Sequence, residues 1–93
     1  MRITVEVLFS FKHEMDSSAV VLDLADGSDV LSALRALVEH YPRITSRLFS
    51  PTGAVHRYVN ALVNGENVTF RQGFATRLRD GDRLTLLPPV GGG

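Results

Sequence analysis

The sequence contains no cysteine. Without thiols the chain has no disulfides, no thiolate nucleophile and none of the cysteine-based zinc sites. The three histidines, His13, His40 and His56, lack metal-ligand spacing, so no metal site is expected. Any sulfur chemistry in which this protein takes part must therefore use another atom of the chain.

A surplus of one charge is also lacking, because ten basic residues balance ten acidic ones. Proteins that bind nucleic acids usually carry a basic surplus, so no nucleic-acid partner is expected. Nine of the basic residues are arginines, and Lys12 is the only lysine. Arg71, Arg77, Arg79 and Arg83 are close in sequence and predict either a solvated basic face or a docking patch for an acidic partner.

Long hydrophobic runs are missing as well. A membrane-spanning helix needs about 20 consecutive apolar residues, and no run approaches that length. Met1 is followed directly by strand-like residues, without the charged leader and apolar core of a signal peptide. We therefore expect a cytoplasmic protein without membrane contact.

The residues that are present predict one small domain. The chain has 93 residues, of which 44% are apolar, enough for one modest core. Alternation over residues 2–9 predicts a strand with Ile3, Val5 and Val7 on the buried face and Leu8 on the other. The other expected segments are a hairpin return at 10–18, strands at 19–24, 58–63 and 83–87, a short strand at 68–70, and a connector at 42–52 with a helical turn around 44–49.

One helix is expected between the second and third strands. Apolar residues from Val30 to Tyr41 recur at helical spacing, Ser28 or Asp29 provides the N-cap, and Pro42 ends the helix. One helix packed on a mixed sheet of four to five strands predicts an α+β protein of β-grasp (ubiquitin-like) fold. That fold places the first and last strands side by side and parallel, although sequence order alone does not fix which strands pair.

The last six residues predict a chemical role for the chain end. We divide the chain into a domain at residues 1–87 and a flexible tail at 88–93. Pro88 and Pro89 form a stiff, extended stalk, and the segment from Pro88 to Gly93 can reach up to roughly 20 Å. The glycines beyond the stalk suit a chain end that threads a narrow channel in another protein.

The group offered at the end of this stalk is the carboxylate of Gly93. An ionised carboxylate resists nucleophilic attack, so it needs activation, for which adenylation by ATP is the expected route. Sulfide or a persulfide would then leave a thiocarboxylate, whereas an amine would leave an amide. In both cases the protein is the substrate of an acyl transfer and not its catalyst.

The C-terminal run resembles the signature of the MoaD/ThiS sulfur carriers. That signature is an L-x-D-G-D-x-hydrophobic run followed by P-P-V-x-G-G, and it corresponds here to residues 78–93. The segment 59–66, with Asn64 and Gly65, resembles the same family, as do Lys12 after the first strand and Tyr41 and Pro42 at the helix end. The resemblance covers essentially the whole chain.

The resemblance implies a ubiquitin-like carrier that binds no cofactor itself. Gly93 would be adenylated by an E1-like enzyme of MoeB type, which uses ATP, and converted to a thiocarboxylate. Gly92 matches the neighbouring glycine, and Leu87 matches an apolar contact for the partner. The residues of the partner-binding tail are Leu87, Pro88, Pro89, Val90, Gly91 and Gly92.

The acceptor of the sulfur is predicted from the paired prolines. They favour the molybdopterin branch of molybdenum cofactor biosynthesis over the carriers of cysteine biosynthesis and of the thiazole pathway, while archaeal ubiquitin-like modifiers share them. In the molybdopterin branch the carrier is the small subunit of molybdopterin synthase and inserts its tail into the large subunit, of MoaE type. Two alternatives stay open: a carrier for cysteine biosynthesis, which residues 48–76 also resemble, and a modifier joined to lysines through Gly93. A binding module with an inert tail is a third class, and a stand-alone enzyme is disfavoured because no nucleophile–base pair or metal set is visible.

Overall fold

A computed structural model describes residues 1–8 and 19–87 of the chain. The expected hairpin return at 10–18 and the tail at 88–93 lie outside the described residues. The strands are β1 (Arg2–Val7), β2 (Ala19–Asp23), β3 (Asn60–Val63), β4 (Glu66–Asn67) and β5 (Arg83–Leu87); the helices are α1 (Val30–His40) and the short α2 (Thr45–Leu48), with 3-10 turns at Pro42–Ile44, Val68–Phe70 and Gly73–Ala75.

The five strands form one mixed sheet in the order β2-β1-β5-β3-β4. The first and last strands are adjacent and parallel, with Val5 beside Leu84 and Val7 beside Leu86. All other neighbouring pairs are antiparallel. The β-grasp expectation, including the pairing that sequence order could not fix, is confirmed.

The core lies between one face of this sheet and α1. Ile3 and Val5 of β1 are fully buried, as are Leu84 and Leu86 of β5, because side chains of a strand alternate between its two faces. The helix contributes the stripe that its sequence period predicts. Its buried members are Val30, Ala33, Leu34 and Leu37.

Helix α1 begins where the side chain of Asp29 accepts a hydrogen bond from the backbone N–H of Ser32, at 2.9 Å. Of the two N-caps that the sequence allowed, the structure selects Asp29. The backbone N–H of Val30 donates to the carbonyl of Thr76, at 3.0 Å, so the crossover that leads to β5 is fixed to the start of the helix. The helix ends at His40, and Pro42 occupies the first position of a 3-10 turn, where its missing N–H leaves no hydrogen bond unmade.

The short strand expected at 68–70 is wrong. The fourth strand is Glu66–Asn67, and Val68–Phe70 is a 3-10 helix. The cause is the side chain of Asn67, which accepts a hydrogen bond from the backbone N–H of Thr69, at 2.9 Å, and so diverts the chain from the sheet.

The third strand begins two residues later than expected, at Asn60. The hydroxyl of Tyr58 donates to the carbonyl of Arg47, at 3.1 Å, and its ring stacks on His56, with centroids 4.8 Å apart. These contacts hold the residues before β3 against α2 instead of in the sheet. The helical turn expected around 44–49 is confirmed by the 3-10 turn and α2.

Within the described ranges, no helix has the length and apolar character that a bilayer crossing requires.

The alternation of β5 gives a test of the core. We expect Leu86→Ala to lower the free energy of unfolding by about 2–5 kcal/mol, because Leu86 is fully buried. Leu87→Ala should cost about 1 kcal/mol or less, since Leu87 is only partly buried on the opposite face. Urea unfolding of both variants measures the difference. Equal losses would mean that β5 does not have this register.

Candidate functional site

Strand β5 is the central strand of the sheet and ends at Leu87, the last described residue. Leu87 is paired with Asn60 of β3. On the other side, the backbone N–H of Leu8 donates to the carbonyl of Leu86, at 2.9 Å, which places Leu8 next to Leu87. The predicted tail at 88–93, including Gly93, therefore starts from a strand that is held on both edges, and its own residues lie outside the described part.

Three leucines surround this point on the face of the sheet that α1 does not cover. Leu8 is 50% exposed, and Leu62 and Leu87 are partly exposed. Leu62 is paired with Thr85, so it lies diagonally across from Leu87. We call Leu8, Leu62 and Leu87 the tail-root patch, an apolar surface at the point where the tail begins.

The opposite end of β5 is fixed by the turn at Asp80, Gly81 and Asp82. The carboxylate of Asp80 accepts from the backbone N–H of Arg2, at 2.7 Å, and the N–H of Gly81 donates to the carbonyl of Arg2, at 2.8 Å. The N–H of Thr4 donates to the carbonyl of Asp82, at 3.1 Å. Gly81 has a φ of 87°, which a residue with a Cβ adopts only under strain.

Asn64 joins this turn to the hairpin between β3 and β4. Its side-chain N–H donates to one carboxylate oxygen of Asp82, at 2.8 Å, and its carbonyl oxygen accepts from the backbone N–H of Arg83, at 2.9 Å. The second carboxylate oxygen of Asp82 accepts from the N–H of Arg79, at 2.8 Å. We call Asn64, Asp80 and Asp82 the β5 clamp.

The β5 clamp ties the start of β5 to both of its neighbours. Because a shift of one residue would turn every side chain of a strand to the other face, fixing the start of β5 also fixes the face on which Leu87 lies. The carboxylates of Asp80 and Asp82 both accept hydrogen bonds from backbone N–H groups, which hold this segment as a turn.

The arginines that are close in sequence do not act alike. Arg83 is ion-paired with Glu6, at 3.3 Å, across the exposed face of the sheet, and Arg71 with Glu66, at 3.0 Å. The backbone of Arg77 forms an isolated antiparallel β-bridge with that of Asp29, at the start of α1, and this contact does not involve its charge. Two of the four charges are thus locally paired, which favours a solvated face over a docking patch.

The described histidines have structural positions. His40 lies in the last turn of α1, where a cation is tolerated. A ring nitrogen of His56 is hydrogen-bonded to the carbonyl of Ser46, at 2.8 Å. Across residues 1–8 and 19–87, no three His, Asp or Glu side chains group as metal ligands do. His13 lies outside these ranges.

Sequence reasoning identified Leu87 and the hairpin turn at Asn64 and Gly65, but it assigned no role to Leu8 or Leu62 and did not identify the contact of Asn64 with Asp82. The alternation of β1 indicated that Leu8 is on the exposed face. Its place beside Leu87 depends on the pairing of β1 with β5, between residues almost 80 positions apart. The pair of Asn64 and Asp82 spans 18 positions and leaves no local signal in the sequence.

The sequence profile described as "ThiS family" matches residues 7–93. The sulfur carrier protein CysO of Mycobacterium tuberculosis is 42% identical over 71 residues, which are 74% of this chain and 76% of CysO. Small archaeal modifier protein 3 of Haloferax volcanii is 32% identical over 93 residues, all of both chains.

Solved structures agree with these relatives. The crystal structure of small archaeal modifier protein 1 from Haloferax volcanii has a TM-score of 0.87 at 30% identity and covers 100% of both chains. That of the BexX/CysO complex of Amycolatopsis orientalis has a TM-score of 0.77 at 32% identity, covering 98% of this chain and 99% of the other. A putative molybdopterin converting factor subunit 1 from Pyrococcus furiosus shares the fold, with a TM-score of 0.75 at 20% identity over 96% and 98% of the two chains.

The β5 clamp should contribute measurably to stability. We expect Asp82→Ala to lower the free energy of unfolding by about 1–3 kcal/mol, because the side-chain N–H of Asn64 and the backbone N–H of Arg79 lose their common acceptor. The matched control is Asp23→Ala. Asp23 is 81% exposed in an ion pair with Arg2, so its loss should cost about 0.5 kcal/mol or less. Equal losses of stability in chemical denaturation would mean that the β5 clamp does not stabilise the fold.

Proposed function

The chain belongs to the ThiS family, and we propose that it is a sulfur carrier. Its relatives include the sulfur carrier protein CysO and a small archaeal modifier protein. Sulfur is carried as a thiocarboxylate on Gly93. The observation that supports this proposal best is the clamped central strand β5, which runs directly into the sequence Pro88-Pro89-Val90-Gly91-Gly92-Gly93.

The chemistry needs two steps at the carbonyl of Gly93. The carboxylate attacks the α-phosphorus of ATP and pyrophosphate leaves, which gives an acyl-adenylate. A sulfide sulfur, or the outer sulfur of a persulfide, then attacks the carbonyl carbon, and AMP leaves. With a persulfide the product is an acyl disulfide, and a thiol must reduce its S–S bond to release the thiocarboxylate. The partner enzyme binds the ATP, so the carrier itself needs neither a cofactor nor a cysteine.

We propose that the tail-root patch docks the activating enzyme while the tail enters its active site. The three leucines form a contiguous apolar surface next to the first residue of the tail. A stiff stalk of two prolines then carries the glycines away from this surface, where their lack of Cβ atoms permits a narrow channel. The partner class is an E1-like adenylating enzyme of MoeB type. The relative CysO was solved in a complex with BexX, so a relative of this fold docks on another protein.

The acceptor of the sulfur is a separate part of the proposal. The paired prolines predict delivery to the large subunit of molybdopterin synthase, of MoaE type. Relatives at 30% identity or more include CysO proteins and archaeal modifiers, which favour delivery to cysteine biosynthesis or protein modification to the same degree. All of these acceptors start from the same activated Gly93.

Protein modification is the second candidate function, because the full length of the chain is similar to a small archaeal modifier protein. The amine of a lysine on another protein would then take the place of sulfide. Chains of several copies would be limited, since Lys12 is the only lysine acceptor in the sequence.

The first test is an intact mass measured after incubation with ATP, sulfide and a candidate E1-like adenylating enzyme. We expect a mass gain that corresponds to one oxygen replaced by sulfur. The gain should disappear when Gly93 is deleted, while the folded domain of residues 1–87 keeps its melting temperature.

Each other outcome has its own meaning. AMP release without sulfur uptake, together with higher-mass conjugates on a denaturing gel, would favour the modifier. Neither AMP release nor a mass gain would contradict activation of Gly93 and leave a binding module with an inert tail.

The tail-root patch is tested by a pair of matched charge substitutions. Leu8 and Val21 are 50% and 61% exposed, but Val21 lies on the edge strand β2, away from the root of the tail. We expect Leu8→Asp to lower kcat/KM for adenylation by roughly tenfold or more, because the charge replaces an apolar contact with the enzyme. A tenfold loss corresponds to about 1.4 kcal/mol of interaction free energy. Val21→Asp should leave it near wild type. Equal effects would mean that the patch is not the docking surface.

A further inference from the structure

The turn between β3 and β4 consists of Asn64 and Gly65, and both have positive φ, of 50° and 86°. Both residues are exposed, and an ideal Cβ at Gly65 would meet no atom within 4 Å. In an Asn-Gly sequence the glycine nitrogen can approach the preceding side chain with little hindrance, because glycine has no Cβ. This is the sequence in which asparagine deamidates most readily in peptides.

The reaction needs only water and a base. The backbone nitrogen of Gly65 loses its proton and attacks the side-chain amide carbon of Asn64, a C–N bond forms, and the amide nitrogen leaves as ammonia. Water then opens the resulting succinimide, and position 64 becomes aspartate or isoaspartate. No oxidant, reductant or enzyme is required.

The leaving group of this reaction is held in the folded protein. The amide nitrogen of Asn64 donates to the carboxylate of Asp82, at 2.8 Å, and the amide oxygen accepts from the N–H of Arg83, at 2.9 Å. These two bonds fix the side chain toward β5, so the amide carbon cannot rotate freely toward Gly65.

We propose that Asn64 is a deamidation site that the β5 clamp protects, and that its modification opens the clamp. The product places a carboxylate where an N–H donor faced the carboxylate of Asp82, so attraction becomes repulsion between like charges. The reaction is irreversible in water, and a molecule that has lost ammonia keeps a weakened connection between the β3–β4 turn and the start of β5.

The protective part is tested by ageing the full chain in mildly alkaline buffer and following position 64 by peptide mass. Asp82→Ala releases the amide nitrogen of Asn64, the leaving group, and should speed the loss of ammonia several-fold. The matched control is Asp80→Ala, which removes an acceptor from the same turn but does not touch Asn64. Equal rates in all three proteins, or no loss of ammonia at position 64 in any of them, would overturn the proposal.

The structural consequence is tested by exchanging donor and acceptor. Asn64→Asp should lower the melting temperature by roughly 4–8 °C. Adding Asp82→Asn returns an N–H donor to the pair and leaves an oxygen for the N–H of Arg79, so most of the loss should be recovered. If Asn64→Asp melts like wild type, or if the double variant is no more stable than the single one, the clamp is not what deamidation disrupts.

The two experiments measure peptide mass and melting temperature, so they succeed or fail independently of whether Gly93 is activated.

Discussion

The parallel pairing of β5 with β1 is the contact on which the rest of this structure depends. Two strands that are more than 70 residues apart meet in the centre of the sheet, so the pairing closes almost the whole chain into one loop. Closure of a long loop has an entropic cost that grows slowly with length, and it must be offset by the contacts made at the closure. The fully buried residues of the two strands, and the β5 clamp at their start, supply those contacts.

The same pairing determines where the tail-root patch lies. Parallel neighbours end at the same edge of a sheet, so the end of β1 and the end of β5 lie together and their exposed leucines form one surface. An antiparallel arrangement would have separated Leu8 from Leu87 by the length of the strands. The apolar patch beside the tail is therefore a product of topology, and the clamp preserves it because register decides which face each leucine occupies.

The sequence predicted the parts of this fold that depend on neighbours in the chain. Alternation in β1 and the helical stripe from Val30 to Leu37 are local patterns, and they were confirmed. The short strand at 68–70 was wrong because a side-chain cap at Asn67 outweighed the apolar pattern. The roles of Leu8 and Leu62 and the contact of Asn64 with Asp82 were missed because they come from pairing across long separations. Gly93 and the tail remain predictions from sequence.

In a carrier that reacts through its own C-terminal carboxylate, the reacting group is not one of the side chains of the folded domain. The α-carboxylate is inert until it is activated, so the domain does not have to tune or shield a reactive side chain. No cysteine is needed, and within the described ranges no buried polar side-chain atom lacks a partner. The domain instead has to provide a surface that one partner class recognises, next to the point where the tail begins. In the docking that we propose, selectivity rests on the tail-root patch, because the three glycines at the chain end carry no side chains by which an enzyme could distinguish them.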